Sequence, residues 1–179
     1  MQHLNFELKA HSQHLDDIRE WLLSNGAEVR GTDFQTDTYF NLPSGNGRLK
    51  LRQGNIENSL IHYRRPDHPE ARVSDVALSP VADGEALKNL LSRALGVKVE
   101  VRKKREIYFI GNVKFHLDEL KNLGQFVEIE AIATLPEHHV ECLKNQCTRY
   151  MEIFGIRPED ILAESYSDML LRKTHGDMV

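Results

Sequence analysis

Charged and apolar residues alternate through residues 115–132, and this pattern restricts the fold more than any other feature of the sequence. Side chains alternate between the two faces of a strand, so each of the two predicted strands has one polar and one apolar face. The polar faces carry His116, Asp118, Glu128 and Glu130. Carboxylates aligned in water would only repel each other, whereas carboxylates around a shared interior can hold a divalent cation. The stretch therefore predicts a sheet with a polar interior.

The same alternation recurs along the chain with both signs of charge. A single charged strand face is usually solvated surface. Here several such faces are each backed by apolar residues that need a core, which favours a closed sheet whose interior is charged. We therefore expect an α+β fold, an eight-stranded antiparallel β-barrel flanked by helices. The predicted inward faces carry Glu7 and Lys9; Arg48, Lys50 and Arg52; His62 and Arg64; Lys103 and Arg105; Asp118; and Glu128 and Glu130.

Turn residues and apolar periodicity divide the chain into predicted elements. The strands are expected at 4–10, 29–40, 48–52, 60–64, 72–81, 98–110, 115–118 and 126–132. The helices are expected at 13–25, 83–94 and 137–154, followed by a short helix from 158 and a terminal segment at 165–171. No repeat or inter-domain linker interrupts this series. A single domain over residues 1–173 and a disordered tail over 174–179 are predicted.

Composition excludes several classes of function. The 179 residues carry a net charge of −4, whereas a general nucleic-acid-binding protein is usually basic, so no nucleic-acid partner is expected. The chain lacks an apolar run of about 18 residues and a signal-peptide pattern, so we expect no membrane partner and a cytoplasmic location. The oligomeric state is not determined by the sequence, and a homodimer is left open.

Opposed cationic and anionic walls inside one sheet indicate a particular kind of ligand. Arginine and lysine side chains bind phosphate oxygens, and carboxylates position Mg²⁺ or Mn²⁺. Phosphoryl chemistry needs both, because negative charge is concentrated on the transferring group. The pattern therefore predicts a polyphosphate ligand that binds together with a divalent cation.

Five short motifs occur in an order and spacing that resemble the CYTH family, also called triphosphate tunnel metalloenzymes, over residues 5–171. The family includes class IV adenylyl cyclases and thiamine triphosphatases. No single motif is specific, but their succession along one chain is. The motifs are Asn5-Phe6-Glu7-Leu8-Lys9, similar to Glu-x-Glu-x-Lys; Lys50-Leu51-Arg52; Tyr63-Arg64-Arg65-Pro66; Lys103-Lys104-Arg105-Glu106-Ile107-Tyr108; and Leu117-Asp118 followed by Asn122-Leu123-Gly124-Gln125-Phe126 and Glu128-Ile129-Glu130.

The resemblance implies a metal-dependent enzyme and assigns roles to the matching residues, although it identifies no catalytic residue. The triphosphate would be bound by Lys9, Lys50, Arg52, Arg64, Lys103 and Arg105. The Mg²⁺ or Mn²⁺ ion would be bound by Glu7, Glu128 and Glu130, with Asn5, Asp75 and Asp118 in supporting positions. The implied substrate is ATP, tripolyphosphate or thiamine triphosphate.

Three functions are compatible with this resemblance. The first is class IV adenylyl-cyclase-like conversion of ATP to cyclic AMP and pyrophosphate. The second is hydrolysis of an inorganic or organic triphosphate, and the third is binding of a nucleotide or polyphosphate without catalysis.

Two departures from the family pattern are Asn5, where the family has glutamate, and Asn122, where it has glycine. An asparagine supplies an oxygen without charge, so we expect Asn5 to weaken the metal site.

Overall fold

The computed structural model describes residues 5–64, 75–133 and 139–176. Its strands are β1 (Asn5–His11), β2 (Glu28–Phe40), β3 (Arg48–Gln53), β4 (Asn58–Arg64), β5 (Asp75–Pro80), β6 (Val97–Ile110), β7 (Val113–Leu120) and β8 (Gly124–Ile132). Its helices are α1 (Leu15–Ser24), α2 (Gly84–Leu95), α3 (Val140–Ile153) and α4 (Tyr166–Gly176), with a 3-10 turn at Pro158–Asp160. No helix in these ranges is long and apolar enough to span a bilayer.

All eight strands belong to one antiparallel sheet in the order β1-β8-β7-β6-β2-β3-β4-β5. The sheet curls into a half-barrel, so the predicted α+β fold of eight antiparallel strands with flanking helices is confirmed. The edge strands are β1 and β5, and no strand pairing joins them within the described ranges. The long strand β2 pairs with β6 from Glu28 to Phe40, and these two strands lie at the centre of the curled sheet.

Glycines at positive φ produce two of the sharp reversals between elements. Gly111 has φ 57° in the two-residue turn between β6 and β7, a conformation that side chains with a Cβ rarely adopt. Gly155 has φ 63° directly after α3 and ends that helix. Both positions lie between elements predicted from the sequence.

The convex face of the sheet is covered by helices and forms the main hydrophobic core. Helix α1 contributes Leu15, Ile18 and Leu22, and α3 contributes Leu143 and Cys147. These side chains pack against the apolar residues of β7 and β8, which alternate with the polar residues singled out above. The members from the sheet are Phe115, Leu117, Val127, Ile129 and Ala131.

A second apolar cluster lies at one end of the sheet and seats helix α4. Tyr166 and Met169 of α4 pack with Phe126 of β8 and with residues of β2, β4 and β6. Helix α4 continues to Gly176, so residues 174–176 of the predicted tail are helical. The remaining tail residues 177–179 lie outside the described residues, as do 72–74 of the fifth predicted strand and 137–138 of the third predicted helix.

The two neighbouring leucines of α1 provide a matched test of this packing. Leu22 is fully buried and Leu23 is 52% exposed. We expect Leu22→Ala to lower the free energy of unfolding by ~2–5 kcal/mol, because it leaves a cavity between α1 and the sheet. Leu23→Ala should change it by no more than about 0.5 kcal/mol. Urea denaturation measures both, and equal effects would contradict the assigned face of α1.

Candidate functional site

The concave face of the half-barrel encloses a cavity of about 1120 Å³. Strand register builds its walls, because directly paired residues on antiparallel strands project from the same face. On the β1–β8 side, Glu7 pairs with Glu130 and Lys9 pairs with Glu128. The charged residues that line the cavity are Glu7, Lys9, Asp37, Lys50, Arg52, Glu57, Lys103, Arg105, Lys114, Glu128 and Glu130.

Most of the residues predicted for the site lie on this surface. All three predicted carboxylate ligands line the cavity, and so do Asn5 and every predicted phosphate-binding residue except Arg64. Asp118 is fully buried behind the lining, where it contacts Arg105. The polar strand faces of β1, β3, β6, β7 and β8 therefore point inward. This orientation agrees with the alternating pattern of the sequence.

Arg64 is a correction, because its exposed side chain does not line the cavity. The register of β3 against β4 gives the physical reason. Lys50 pairs with Ile61 and Arg52 pairs with Ser59, so Ile61 and Ser59 share the inward face with these cations. His62 and Arg64 lie on the opposite face of β4 and point outward, although both were predicted to point inward.

Asp75 lies at the start of β5, where its backbone pairs with Arg64 of β4. Its side chain lies outside the described part of the chain, so its supporting role stays a prediction. The inward face of this corner is apolar. Ile61, Tyr63 and Val76 line the cavity there, beside Tyr39 of β2.

One buried carboxylate, Asp37, organises the cationic wall. Its oxygens accept hydrogen bonds from Lys50 Nζ at 2.9 Å, Arg52 Nε at 2.8 Å and Lys103 Nζ at 3.1 Å. Burial by itself would raise the pKa of Asp37, but the three cations together hold that pKa well below its usual range. A single carboxylate thus serves three cations, and this wall keeps an excess of positive charge.

Lys103 belongs to this cationic wall, and its side chain is only 2% exposed. Burial and the neighbouring guanidinium of Arg105 lower the pKa of Lys103 to about 7, against the opposing attraction of Asp37. An anion bound nearby would raise this pKa again, because it favours the charged ammonium. The wall is therefore suited to binding an anionic ligand.

A second carboxylate, Glu57, lies in the loop between β3 and β4 and bridges two cations. Its oxygens accept hydrogen bonds from Arg52 Nη1 at 2.7 Å and Lys114 Nζ at 3.1 Å. Burial opposes ionisation of Glu57, but Lys114 and Arg52 outweigh it and lower the pKa of that carboxyl. The bridge spans strands β3 and β7, which are separated in the sheet by β2 and β6.

Arg105 joins the cationic wall to the carboxylates of β7 and β8. Its guanidinium donates to Asp118 Oδ1 at 2.6 Å and to Glu128 Oε2 at 2.6 Å. Burial raises the pKa of Glu128, but Lys9 and Arg105 reverse the effect and hold it well below its ordinary value. Glu128 is thus ionised and already paired with cations.

His116 lies between these groups and is neutral. Burial and the neighbouring charge of Arg105 lower the pKa of His116 to about 3. Its Nδ1 lies 3.3 Å from Glu128 Oε2, and an ionised carboxylate can only accept, so Nδ1 carries the proton. Among the described residues, the buried Nε2 has no hydrogen-bond partner.

Glu7 and Glu130 are paired in register and both line the cavity, so they are placed to bind a metal together. Asn5 Nδ2 donates to Glu130 Oε1 at 2.6 Å, so the amide occupies the place next to this pair. No cluster of three His, Cys, Asp or Glu side chains suited to a metal occurs in residues 5–64, 75–133 and 139–176. Two carboxylates nevertheless fit Mg²⁺, which usually takes one or two carboxylates and completes its shell with water and substrate phosphates.

Helix α4 closes the end of the cavity at Tyr166. The Tyr166 hydroxyl donates to Asp118 Oδ2 at 2.8 Å, and Lys9 Nζ lies 4.3 Å from the centroid of its ring. Arg48 of β3 lies on the same strand face as Lys50 and Arg52, as predicted, but it does not line the cavity. It donates to Ser165 Oγ at 2.7 Å and pairs with Asp168 at 2.9 Å. These contacts hold the start of α4 against the sheet.

The lining residues that were not assigned to the site from the sequence include Asp37, Glu57, Lys114 and Tyr166. Two of them had a detectable signal. Asp37 alternates with Gln35 and Tyr39 on one face of β2, and Lys114 precedes His116 by two positions. Glu57 lies in a turn, where no periodicity applies.

The half-barrel with a charged interior defines a class of fold, and comparison with known proteins assigns it to a family. A model of the CYTH domain matches residues 3–166. The chain therefore belongs to the CYTH domain family, and the resemblance stated from the sequence is confirmed. Comparison with curated proteins found no match.

Solved structures share this fold over nearly the whole chain. The PH1012 protein from Pyrococcus horikoshii is 27% identical, with 92% of this chain and 98% of that chain covered and a TM-score of 0.80. A proposed adenylate cyclase from Vibrio parahaemolyticus is 19% identical, with 95% and 99% covered and a TM-score of 0.72. HpAC1 from Hippeastrum, a proposed adenylyl cyclase described as having a dominant triphosphatase activity, is 18% identical, with 97% and 96% covered and a TM-score of 0.64.

The lowered pKa of Asp37 predicts how stability depends on pH. Asp37→Asn leaves three cations around a neutral amide and should cost about 3–5 kcal/mol of stability at pH 7. The contribution of Asp37 is present above the unfolded-state carboxyl pKa of about 4 and is lost as pH falls toward the folded-state value. The difference between wild type and variant should therefore shrink below about pH 4.

Urea denaturation at several pH values between 3 and 7 measures this difference. Asp17→Asn, on the exposed side of α1, is the matched control and should show little difference at any pH. A stability difference for Asp37→Asn that stays constant across the pH range would show that the contribution of Asp37 to stability does not come from its charge.

Proposed function

We propose that this protein is a metal-dependent enzyme that acts on an organic triphosphate, with class IV adenylyl-cyclase-like chemistry as the first candidate. One observation carries the proposal: the cations around Asp37 and the carboxylate pair Glu7–Glu130 line the same cavity. A triphosphate along the cationic wall would meet both kinds of group at once. Arginine and lysine would bind its oxygens, and the carboxylates would share a divalent cation with it.

The apolar corner of the cavity supports an organic substrate rather than an inorganic one. Tyr39, Ile61, Tyr63 and Val76 line the wall next to Lys50 and Arg52. Binding sites for organic ligands are mostly apolar with a few polar groups that fix orientation. A base or other ring could pack here while the phosphates contact the cations. ATP and thiamine triphosphate both have this combination, and tripolyphosphate has only the phosphates.

The metal would be Mg²⁺ or Mn²⁺, bound by Glu7 and Glu130 with Asn5 beside them. When bound, such an ion neutralises charge on the phosphate oxygens and supports displacement at phosphorus. Glu128 was predicted as a third ligand, but its ion pair with Arg105 at 2.6 Å favours a role in holding that cation in place. Lys50, Arg52 and Lys103 would fix the phosphates within the cavity.

In the cyclase reaction, the ribose 3′-hydroxyl of ATP attacks the α-phosphorus, the bond to the β-phosphate oxygen breaks, and pyrophosphate leaves. Hydrolysis by attack of water on the terminal phosphate is the second candidate. The triphosphatase activity described for HpAC1 from Hippeastrum, a chain of the same fold, is the reason to retain it. A cytoplasmic location and a homodimer stay predictions.

Product analysis with ATP, tripolyphosphate and thiamine triphosphate in the presence of Mg²⁺ or Mn²⁺ tests the proposal. Cyclic AMP with pyrophosphate from ATP supports the cyclase. Orthophosphate from any of the three supports the triphosphatase. Tight binding without turnover of any substrate would contradict an enzyme and identify a binding protein.

A pair of arginine variants tests whether the cavity is the phosphate site. Arg52 lies inside the cavity, and Arg64 lies outside it on the neighbouring strand. Arg52→Gln should weaken binding of tripolyphosphate by roughly 2–5 kcal/mol, because it leaves phosphate charge unmatched in a buried site. Arg64→Gln removes the same charge and should change binding little. Isothermal titration calorimetry measures both, and equal losses would contradict the assigned face of β4.

Restoring a carboxylate at Asn5 tests the metal site. Asn5→Glu should lower the Mg²⁺ concentration needed for half-maximal binding of ATP, because the amide that now contacts Glu130 becomes a charged oxygen ligand. Crowding of carboxylates raises the pKa of one of them, so the gain should be largest above neutral pH. Asn46→Glu, in an exposed turn, is the control. Unchanged Mg²⁺ dependence at every pH would place Asn5 outside the metal shell.

A further inference from the structure

The carboxylate of Glu57 occupies cations that the phosphate site would otherwise offer to a ligand. It bridges Arg52 and Lys114, and its side chain is 28% exposed at the wall of the cavity. Gln35 Nε2 donates a third hydrogen bond to it at 3.1 Å. Arg52 is shared with Asp37, whereas Glu57 is the carboxylate that contacts Lys114 in the described structure. Glu57 is thus an internal anion in the row of phosphate-binding cations.

The position of Glu57 is fixed by the fold. The backbone N–H groups of Ile56 and Glu57 each donate to the fully buried carboxylate of Asp33 at 3.0 Å. Asn55 accepts from Phe34 N at 2.7 Å and ties the same loop to β2. Because the loop is held at several points, Glu57 is presented to the cavity in a defined place.

Glu57 lies at the end of the cavity opposite helix α4. Lys114, which it contacts, begins the inward face of β7, and Asp118, which contacts Tyr166 of α4, ends it. Lys114 and Asp118 are four positions apart, a distance of about 13 Å along β7. The charged lining of the cavity therefore ends at the aromatic ring of Tyr166 on one side and at the carboxylate of Glu57 on the other.

We propose that Glu57 is an end stop that limits the length of the polyphosphate chain the cavity accepts. The inference rests on the proposed function and adds a determinant of substrate length. A chain that extends past Arg52 toward Lys114 must displace the carboxylate, which would then face phosphate charge in a poorly solvated site. A shorter chain uses the cations around Asp37 and leaves the Glu57–Lys114 pair intact.

Binding of pyrophosphate, tripolyphosphate and tetrapolyphosphate to the full chain, measured by calorimetry with Mg²⁺ present, tests the end stop. In the wild type, affinity should rise from pyrophosphate to tripolyphosphate and then stop rising. Glu57→Gln keeps the shape of the side chain and removes its charge. Its affinity for tetrapolyphosphate relative to tripolyphosphate should increase about tenfold, because Lys114 becomes free to bind the added phosphate.

Two further variants separate the end stop from a general change in charge. Glu119 lies outside the cavity and pairs with Lys104 at a distance of 2.8 Å. Glu119→Gln removes this carboxylate and should leave the ratio of tetrapolyphosphate to tripolyphosphate affinity unchanged. Lys114→Met in the wild type should change tripolyphosphate affinity by less than about threefold, and in the Glu57→Gln background it should abolish the gain. This dependence on Lys114 is not expected if Glu57 only stabilises the loop.

Failure of the end stop and failure of the proposed function would give different results. An unchanged ratio of tetrapolyphosphate to tripolyphosphate affinity in Glu57→Gln, or an equal gain for all three chains, would overturn the end stop and leave triphosphate binding intact. A gain that persists after Lys114→Met would also overturn it. Failure of the wild type to bind any of the chains would overturn the proposed function, and the end stop with it.

Discussion

The structure depends on one constraint: a charge removed from water must be paired with an opposite charge. The concave face of the sheet places many cations and carboxylates in a confined cavity, and each buried member contacts a partner of opposite sign. Asp37 serves Lys50, Arg52 and Lys103, while Arg105 joins Asp118 to Glu128. The apolar face of the same strands packs against α1 and α3. The half-barrel is therefore stabilised by a hydrophobic core on its outside and by ion pairs on its inside.

The distribution of these pairs explains why the interior suits a triphosphate. Cations exceed carboxylates around Asp37, whereas Glu7 and Glu130 pair in register on β1 and β8, and the Asn5 amide contacts Glu130. Burial and the neighbouring guanidinium of Arg105 lower the pKa of Lys103 to about 7, so an anion bound at this wall would favour its charged form. A polyanion that binds with a divalent cation would complete both walls at once. The apolar corner at Ile61 and Tyr63 gives the same cavity a place for an organic group.

Much of the cavity lining could be predicted from the sequence, because polar and apolar residues alternate along β1, β7 and β8. The prediction failed at Arg64 because polar and apolar residues alternate in β4 with either face able to point inward. Only the pairing of Lys50 with Ile61 decides which face does. Glu57 could not be predicted, since its place depends on contacts between its loop and the buried carboxylate of Asp33. Closure of the sheet also depends on how far the strands curl, which the alternating pattern does not specify.

The central claim is that the inward cations bind phosphate. A crystal structure of the protein with tripolyphosphate and Mn²⁺ tests it most directly, because anomalous scattering locates the metal independently of the phosphates. Our account predicts phosphate oxygens in contact with Lys50, Arg52 and Lys103, and Mn²⁺ beside Glu7 and Glu130. Arg64 should contact neither. Phosphate bound only to the outer surface, with the cavity still filled by its own ion pairs and solvent, would contradict the account.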